Sequence, residues 1–138
     1  MPENVGNFIV SMEEVREAEL KKYVTDIMLN LGVPAHLKGY HYLRTAIIMA
    51  KKDMEIVGSV TKLLYPDVAR LFKTTEQKVE RAIRNAIEVS WTRGNPQTFE
   101  ELFGYSPLTG QVRPTNSEYI AQIADKINLE MRAVEAEK

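Results

Sequence analysis

Polar residues recur at helical spacing in the segment 67–91, which has the sequence DVARLFKTTEQKVERAIRNAIEVSW. The recurring positions, i, i+4, i+7 and i+11, are occupied by Gln77, Arg81, Arg84 and Glu88. Arginine can donate two parallel hydrogen bonds to guanine O6 and N7, and glutamate can accept a hydrogen bond from cytosine N4. Arg81 and Arg84, with Glu80 beside them, therefore have the chemistry to read C/G-containing base pairs in a DNA major groove.

A second interpretation of the same row needs no ligand. Glu80 and Arg84 are four residues apart, as are Arg84 and Glu88. Such pairs stabilise an exposed helix by only about 0.2–0.5 kcal/mol each. Helical spacing alone is compatible with a solvated surface as well as with a DNA contact, so the neighbouring elements have to decide between the two.

Those neighbouring elements match the pattern of a helix-turn-helix. The sequence predicts a short supporting helix over about Pro66 to Phe72, a turn at 73–75, and a recognition helix from Thr75 to about Trp91. Small and branched residues occupy the positions where the two helices would cross, namely Val68, Ala69, Val79, Ala82, Ile83 and Ala86. A generic surface helix does not need this arrangement, which therefore favours the DNA contact.

The turn between these helices has chemistry of its own. Either Thr74 or Thr75 can cap the recognition helix, and Thr74 with Gln77 matches a capping box. Lys73 stands where many such turns have glycine, so it either adopts a positive φ at a modest cost in strain or the turn is of another type. Lysines and backbone N–H groups near the turn would supply phosphate contacts and most of the affinity. The candidates for DNA-backbone or flanking contacts are Lys62, Lys73, Thr74, Thr75, Gln77, Lys78 and Asn85.

The whole chain is predicted to be a single all-α domain of about six helices. Its 138 residues are 44% hydrophobic and 27% charged, and the period-2 alternation typical of strands is absent. The remaining helices are predicted at 12–31, 38–53, 96–103 and 115–131, with a helical segment over 54–64 that Gly58 and Ser59 interrupt. The first two are expected to bury Val15, Tyr23, Val24, Ile27, Met28, Leu31, Leu43, Ala46, Ile47 and Ala50. Thr115 and Glu118 form a capping box at the start of the last helix.

Residue composition excludes several classes of chemistry. The absence of cysteine excludes a disulfide framework and thiolate metal sites. His36 and His41 are the only histidines, and on one helix they would point about 140° apart, too far to share a metal. The sequence contains no metalloprotease, phosphate-loop or nucleophile-elbow motif. We therefore predict a protein that is not an enzyme and that holds no metal or cofactor.

Charge is segregated along the chain. Residues 1–20 hold five acids and one base, whereas residues 70–93 hold six bases and three acids. The positive part thus coincides with the predicted recognition helix, as phosphate binding requires. The longest apolar run, 46–50, is far shorter than a membrane span, and the N-terminus does not have the pattern of a signal peptide. We expect a cytoplasmic protein with no membrane segment.

Several runs of the sequence carry a family resemblance. They are KGYHYLRTAI, GSVTKLLYPDVARLF, VERAIRNAIEVSWTRGN, LFGY and PTNSEYIAQIADKINLE. Over about Val24 to Glu130 the chain resembles the C-terminal DNA-binding effector domains of the sporulation-initiation master response regulators of endospore-forming Firmicutes. The resemblance implies an all-helical domain that binds short C/G-centred operator boxes, with Glu80, Arg81 and Arg84 as base readers, and that activates or represses transcription.

The resemblance also implies partners. In the family, the segment after the recognition helix and one position of the final helix contact the RNA polymerase sigma factor. The matching residues here are Thr98, Leu102, Phe103 and Ala124. Three positions depart from the family pattern: Lys78 replaces a usual arginine, Asn85 replaces a common histidine, and Pro107 occupies another sigma-contact position.

A phosphoacceptor receiver domain usually precedes these effector domains in a two-component phosphorelay. Residues 1–20 are accordingly expected to be a linker or tail, with the helix-turn-helix domain at 21–138. Receiver phosphorylation would promote a dimer or tandem pair on DNA, and linking two weak sites raises occupancy. The alternative function is a protein-interaction module whose same helical face docks on an acidic partner without touching DNA.

Overall fold

The computed structural model describes the backbone of residues 2–137 and the side chains within residues 13–59 and 62–133. The α-helices of this range are α1 Pro2–Asn30, α2 Lys38–Lys52, α3 Tyr65–Leu71, α4 Glu76–Arg93, α5 Pro96–Phe103 and α6 Asn116–Glu137. A 3-10 helix, Met54–Ser59, and a π-helical segment, Val60–Leu64, join α2 to α3, and a 3-10 turn, Pro107–Thr109, lies between α5 and α6. Residues 2–137 contain no strand, which confirms the predicted all-α class with about six helices.

One hydrophobic core receives buried side chains from all six α-helices. The buried residues predicted on α2, namely Leu43, Ala46, Ile47 and Ala50, are all fully buried. The fully buried residues of α6 are Tyr119, Ile120, Ile123, Ala124 and Ile127. Helix α2 packs against both α4 and α6 and is therefore the support on which the predicted recognition helix rests. Over the described residues, no helix is both long enough and apolar enough to span a membrane.

Helix α1 differs from the prediction in length and in part of its buried face. It begins at Pro2 rather than Met12, because proline suits the first helical position and no second proline follows before the helix ends. Val24, Met28 and Leu31 are buried and Ile27 is partly buried, as predicted. Val15 and Tyr23, however, are exposed, and the side chains of residues 13–19 are all exposed before Leu20 reaches the core.

The proposed division between a tail at 1–20 and a domain at 21–138 stays a prediction. The boundary falls inside α1, Pro2–Asn30, whose backbone is helical on both sides of it. The side chains of residues 1–12 lie outside the described residues.

Two other boundaries depart from the sequence prediction. The segment 54–64 is not interrupted at Gly58 and Ser59; its backbone stays helical and changes there from 3-10 to π-helical geometry. Helix α6 continues to Glu137 rather than ending near Met131. No glycine or proline lies in residues 132–137, and the alanines and glutamates there are good helix formers.

The C-terminal half of α4 is held by two other helices. Ser90 Oγ donates a hydrogen bond to the Leu31 carbonyl at 2.6 Å and lies 2.8 Å from the Tyr119 hydroxyl. At the adjacent ends of α1 and α4 the backbones nearly touch, since a side-chain carbon at Gly32 would lie 2.6 Å from the Gly94 nitrogen. These contacts determine where the recognition helix sits relative to α1 and α6.

Candidate nucleic-acid interface

The turn between α3 and α4 contains a residue in the left-handed conformation. Lys73 has φ 54°, and the Thr74 N–H donates to the Ala69 carbonyl at 2.9 Å, which closes α3. Glycine is the usual residue at such a helix C-terminus, and a residue with a Cβ pays roughly 1–2 kcal/mol for the left-handed conformation. Of the two alternatives for Lys73, the structure thus contains the one with positive φ and its strain.

Thr75, and not Thr74, caps the recognition helix. Thr75 has extended backbone angles, φ −103° and ψ 156°, and its Oγ1 accepts the Lys78 N–H at 3.2 Å. The capping box predicted for Thr74 and Gln77 is therefore wrong. The physical reason is that the Thr74 N–H is used to close α3, so the chain becomes extended only at the next residue, directly before Glu76.

Helix α4 separates its apolar and polar residues as the sequence predicts. Val79, Ile83 and Ala86 are fully buried, and Ala82 is partly buried against the core. Val68 and Ala69 of α3 are also buried where the two helices cross. The opposite face of α4 is exposed at Gln77, Arg81, Arg84 and Glu88.

The candidate base readers differ in how firmly they are held. Arg84 forms an ion pair and a hydrogen bond with Glu80, one turn earlier on the same face. That hydrogen bond raises the pKa of Arg84 above its ordinary value. Among the described side chains, no carboxylate forms an ion pair with the exposed Arg81. Arg84 and Glu80 are thus pre-positioned, while Arg81 projects into solvent.

Several of the residues predicted to contact the DNA backbone lie close together at the start of α4. A groove of about 480 Å³ is lined there by Pro66, Ala69, Arg70, Thr74, Thr75, Glu76 and Gln77. Lys73 and Lys78 are exposed beside the turn and on the first turns of α4. Lys62 and Asn85 are exposed as well, but they do not line this groove.

The residues matched to a sigma-factor contact lie on α5 and α6 with unequal exposure. Thr98 and Leu102 are partly buried, Phe103 is 7% exposed, and Ala124 is fully buried. The ring centroids of Phe103 and Tyr119 lie 5.3 Å apart. Thr98 and Leu102 therefore have partly accessible side chains, whereas Phe103 and Ala124 are buried.

Two residues at this face were missed by the sequence analysis. Arg113, in the loop before α6, places Nη2 2.9 Å from Glu88 Oε1, so Glu88 is paired and not simply solvated. The Asn116 amide donates to the Glu80 carbonyl at 3.2 Å and to the Tyr65 hydroxyl at 2.8 Å. No local spacing connects either residue with α4, because both contacts join distant parts of the chain.

The domain has a short supporting helix, a tight turn and a second helix. The second helix buries an apolar stripe and exposes a face that bears arginines. This arrangement defines a helix-turn-helix domain of the DNA-binding class. A family model described as "Sporulation initiation factor Spo0A C terminal" matches residues 24–127 of the 138. The chain belongs to this family, which is a family of DNA-binding domains of a sporulation transcription factor. The match confirms the resemblance found over about Val24 to Glu130.

Proposed function

We propose that α4 reads short C/G-containing operator boxes in the major groove through Glu80, Arg81 and Arg84. The observation that carries the proposal is the exposed Arg81 in the N-terminal half of α4, next to an Arg84 already oriented by Glu80. This half of a recognition helix is the part that meets base edges. Each bidentate arginine–guanine pair contributes about 1–3 kcal/mol of discrimination against a wrong base.

Phosphate contacts supply most of the affinity in this proposal. Lys62, Lys73 and Lys78 are the lysines assigned to the duplex backbone, with the backbone N–H groups near Thr74 and Thr75 other than the Thr74 N–H, which already donates to the Ala69 carbonyl. Gln77 and Asn85 make flanking contacts. Because acids partly offset the bases in residues 70–93, one copy binds weakly, and a dimer or tandem pair on adjacent boxes raises occupancy.

The proposal extends to regulation. Membership of the family supports an effector domain that activates or represses sporulation-initiation genes on chromosomal DNA in the cytoplasm. In the intact response regulator, phosphorylation of a receiver domain promotes the paired form. The sigma factor of RNA polymerase binds at α5, where Thr98 and Leu102 offer accessible atoms, while Phe103 packs on Tyr119 of α6 and Ala124 is buried in α6.

The first test of DNA binding is its salt dependence. We expect log K for a two-box duplex to fall linearly with log salt, because each neutralised phosphate contributes a slope of about −0.9. Fluorescence anisotropy with a labelled duplex at 50 to 200 mM salt measures this slope. If the chain bound an acidic protein partner and showed neither duplex preference nor a salt slope, the interaction module would be the correct function.

The second test separates base reading from phosphate binding. Arg81→Ala should abolish the preference for a cognate box over a scrambled duplex, whereas Lys73→Ala should weaken both duplexes alike. Arg93→Ala is the matched control, since it removes the same charge from the same helix about 18 Å further along its axis. Equal losses on cognate and scrambled DNA for Arg81→Ala would rule out its role as a base reader.

A further inference from the structure

A second groove, of about 500 Å³, lies beside the outer face of α4. Tyr65, Glu80 and Arg84 line one side of it, and residues 112–117, which are the loop before α6 and the first two residues of α6, line the other. Arg113 of that loop forms its ion pair with Glu88 while its side chain remains 41% exposed. The loop therefore adds an accessible guanidinium to the face of α4 that carries Arg84.

Asn116 fixes the position of this loop relative to the candidate base readers. Its amide donates both to the backbone carbonyl of Glu80 and to the hydroxyl of Tyr65. Pro114, between Arg113 and Asn116, is buried. These hydrogen bonds cross the groove and thereby fix the distance between Arg113 and the face of α4 that carries the candidate base readers.

We propose that Arg113 binds a phosphate of the DNA strand that borders the major groove occupied by α4. The inference rests on the proposed duplex binding. A recognition helix lying in the major groove brings the loops along its sides against the sugar-phosphate backbone. Arg113 places a second guanidinium across this groove from Arg84, and its charge is complementary to a phosphate.

Glu88 acts as a positioning residue for Arg113. Its carboxylate engages Nη2, at one end of the guanidinium. Arginine carries five N–H donors in a planar fork, so the donors at the other end are left for a phosphate oxygen. The pair holds the long arginine side chain at the edge of the reading face and reduces the freedom that it would lose on binding DNA.

The experiment compares Arg113→Gln with Arg132→Gln in the full chain. Both substitutions remove one exposed positive charge, but Arg132 lies about 24 Å along α6 from Asn116. We expect Arg113→Gln to reduce the magnitude of the salt slope by about 0.9, so that its affinity deficit relative to the unsubstituted chain shrinks roughly 3.5-fold between 50 and 200 mM salt. The deficit should be the same on cognate and scrambled duplexes, and Arg132→Gln should keep the original slope.

Arg113→Lys distinguishes a charge contact from a structural role of the loop. It retains the charge and should retain the salt slope, and thermal unfolding should show that all three variants are folded. If the unsubstituted chain binds DNA but Arg113→Gln leaves the slope unchanged, the inference is overturned and the proposed function stands. A loss confined to the cognate duplex also overturns it, because a phosphate contact carries no sequence information. If the unsubstituted chain does not bind duplex DNA, the proposed function and the inference about Arg113 are both overturned.

Discussion

The hydrogen-bonded chain at the end of α4 predicts unequal effects of two conservative substitutions. Ser90 and Tyr119 are fully buried, and Ser90 Oγ contacts both the Leu31 carbonyl and the Tyr119 hydroxyl. A carbonyl oxygen can only accept, so the Ser90 proton points to Leu31, and Tyr119 must be the donor to Ser90. The donors are therefore ordered from Tyr119 to Ser90 to Leu31.

Ser90→Ala removes the middle member of this chain. The Tyr119 hydroxyl loses its acceptor, the Leu31 carbonyl loses this donor, and a buried polar group left unpaired costs about 1–3 kcal/mol. We expect the free energy of unfolding to fall by about 2–4 kcal/mol. Tyr119→Phe leaves Ser90 donating to Leu31 and removes one hydrogen bond, so we expect a loss of only about 0.5–1.5 kcal/mol.

The double variant S90A/Y119F tests the order of donors. It no longer contains the orphaned tyrosine hydroxyl, so it should be no less stable than Ser90→Ala alone, and the two single losses should not add. Urea unfolding of the four proteins measures the coupling energy, provided that their m-values agree. Additive losses, or a larger loss from Tyr119→Phe than from Ser90→Ala, would refute this reasoning.

Three further predictions concern the helix crossing, the turn and alkaline pH. A side-chain carbon at Gly39 would lie 2.0 Å from the Ala82 carbonyl oxygen, so Gly39→Ala should push α2 away from α4. We expect it to lower the free energy of unfolding, measured in urea, by about 1–3 kcal/mol. The control is Gly58→Ala, where the added carbon meets open space and the free energy of unfolding should change by less than about 1 kcal/mol. Lys73→Gly removes the strain of the left-handed conformation but increases the entropy of the unfolded chain. Because the strain is the larger effect, the free energy of unfolding should rise by about 0.5–1 kcal/mol. A lower free energy of unfolding would show that Lys73 is not strained. Burial raises the pKa of Tyr119, so the folded state keeps a proton that the unfolded state loses above about pH 10. The free energy of unfolding should therefore decrease as the pH rises above that value. Thermal unfolding from pH 9 to 11 should show a smaller decrease in melting temperature for Tyr119→Phe than for the unsubstituted chain.

The helices and the reading face were largely predictable because their signals are local. Val79, Ile83 and Ala86 repeat at the spacing of one helix face, and Arg81 and Arg84 must then lie on the other. The capping residue was less predictable, since adjacent threonines have the same side-chain chemistry. Only the left-handed Lys73 and the hydrogen bond from the Thr74 N–H place the extended residue at Thr75.

The sequence by itself determined the all-α class, the helix-turn-helix and the arginines and glutamates of α4, because periodicity, capping and turn chemistry act between residues a few positions apart. Only the tertiary structure decided that Arg113 pairs with Glu88 and that Asn116 joins α6 to Glu80. These contacts depend on how α2 and α6 support α4, which is determined by packing between helices that are distant in the sequence.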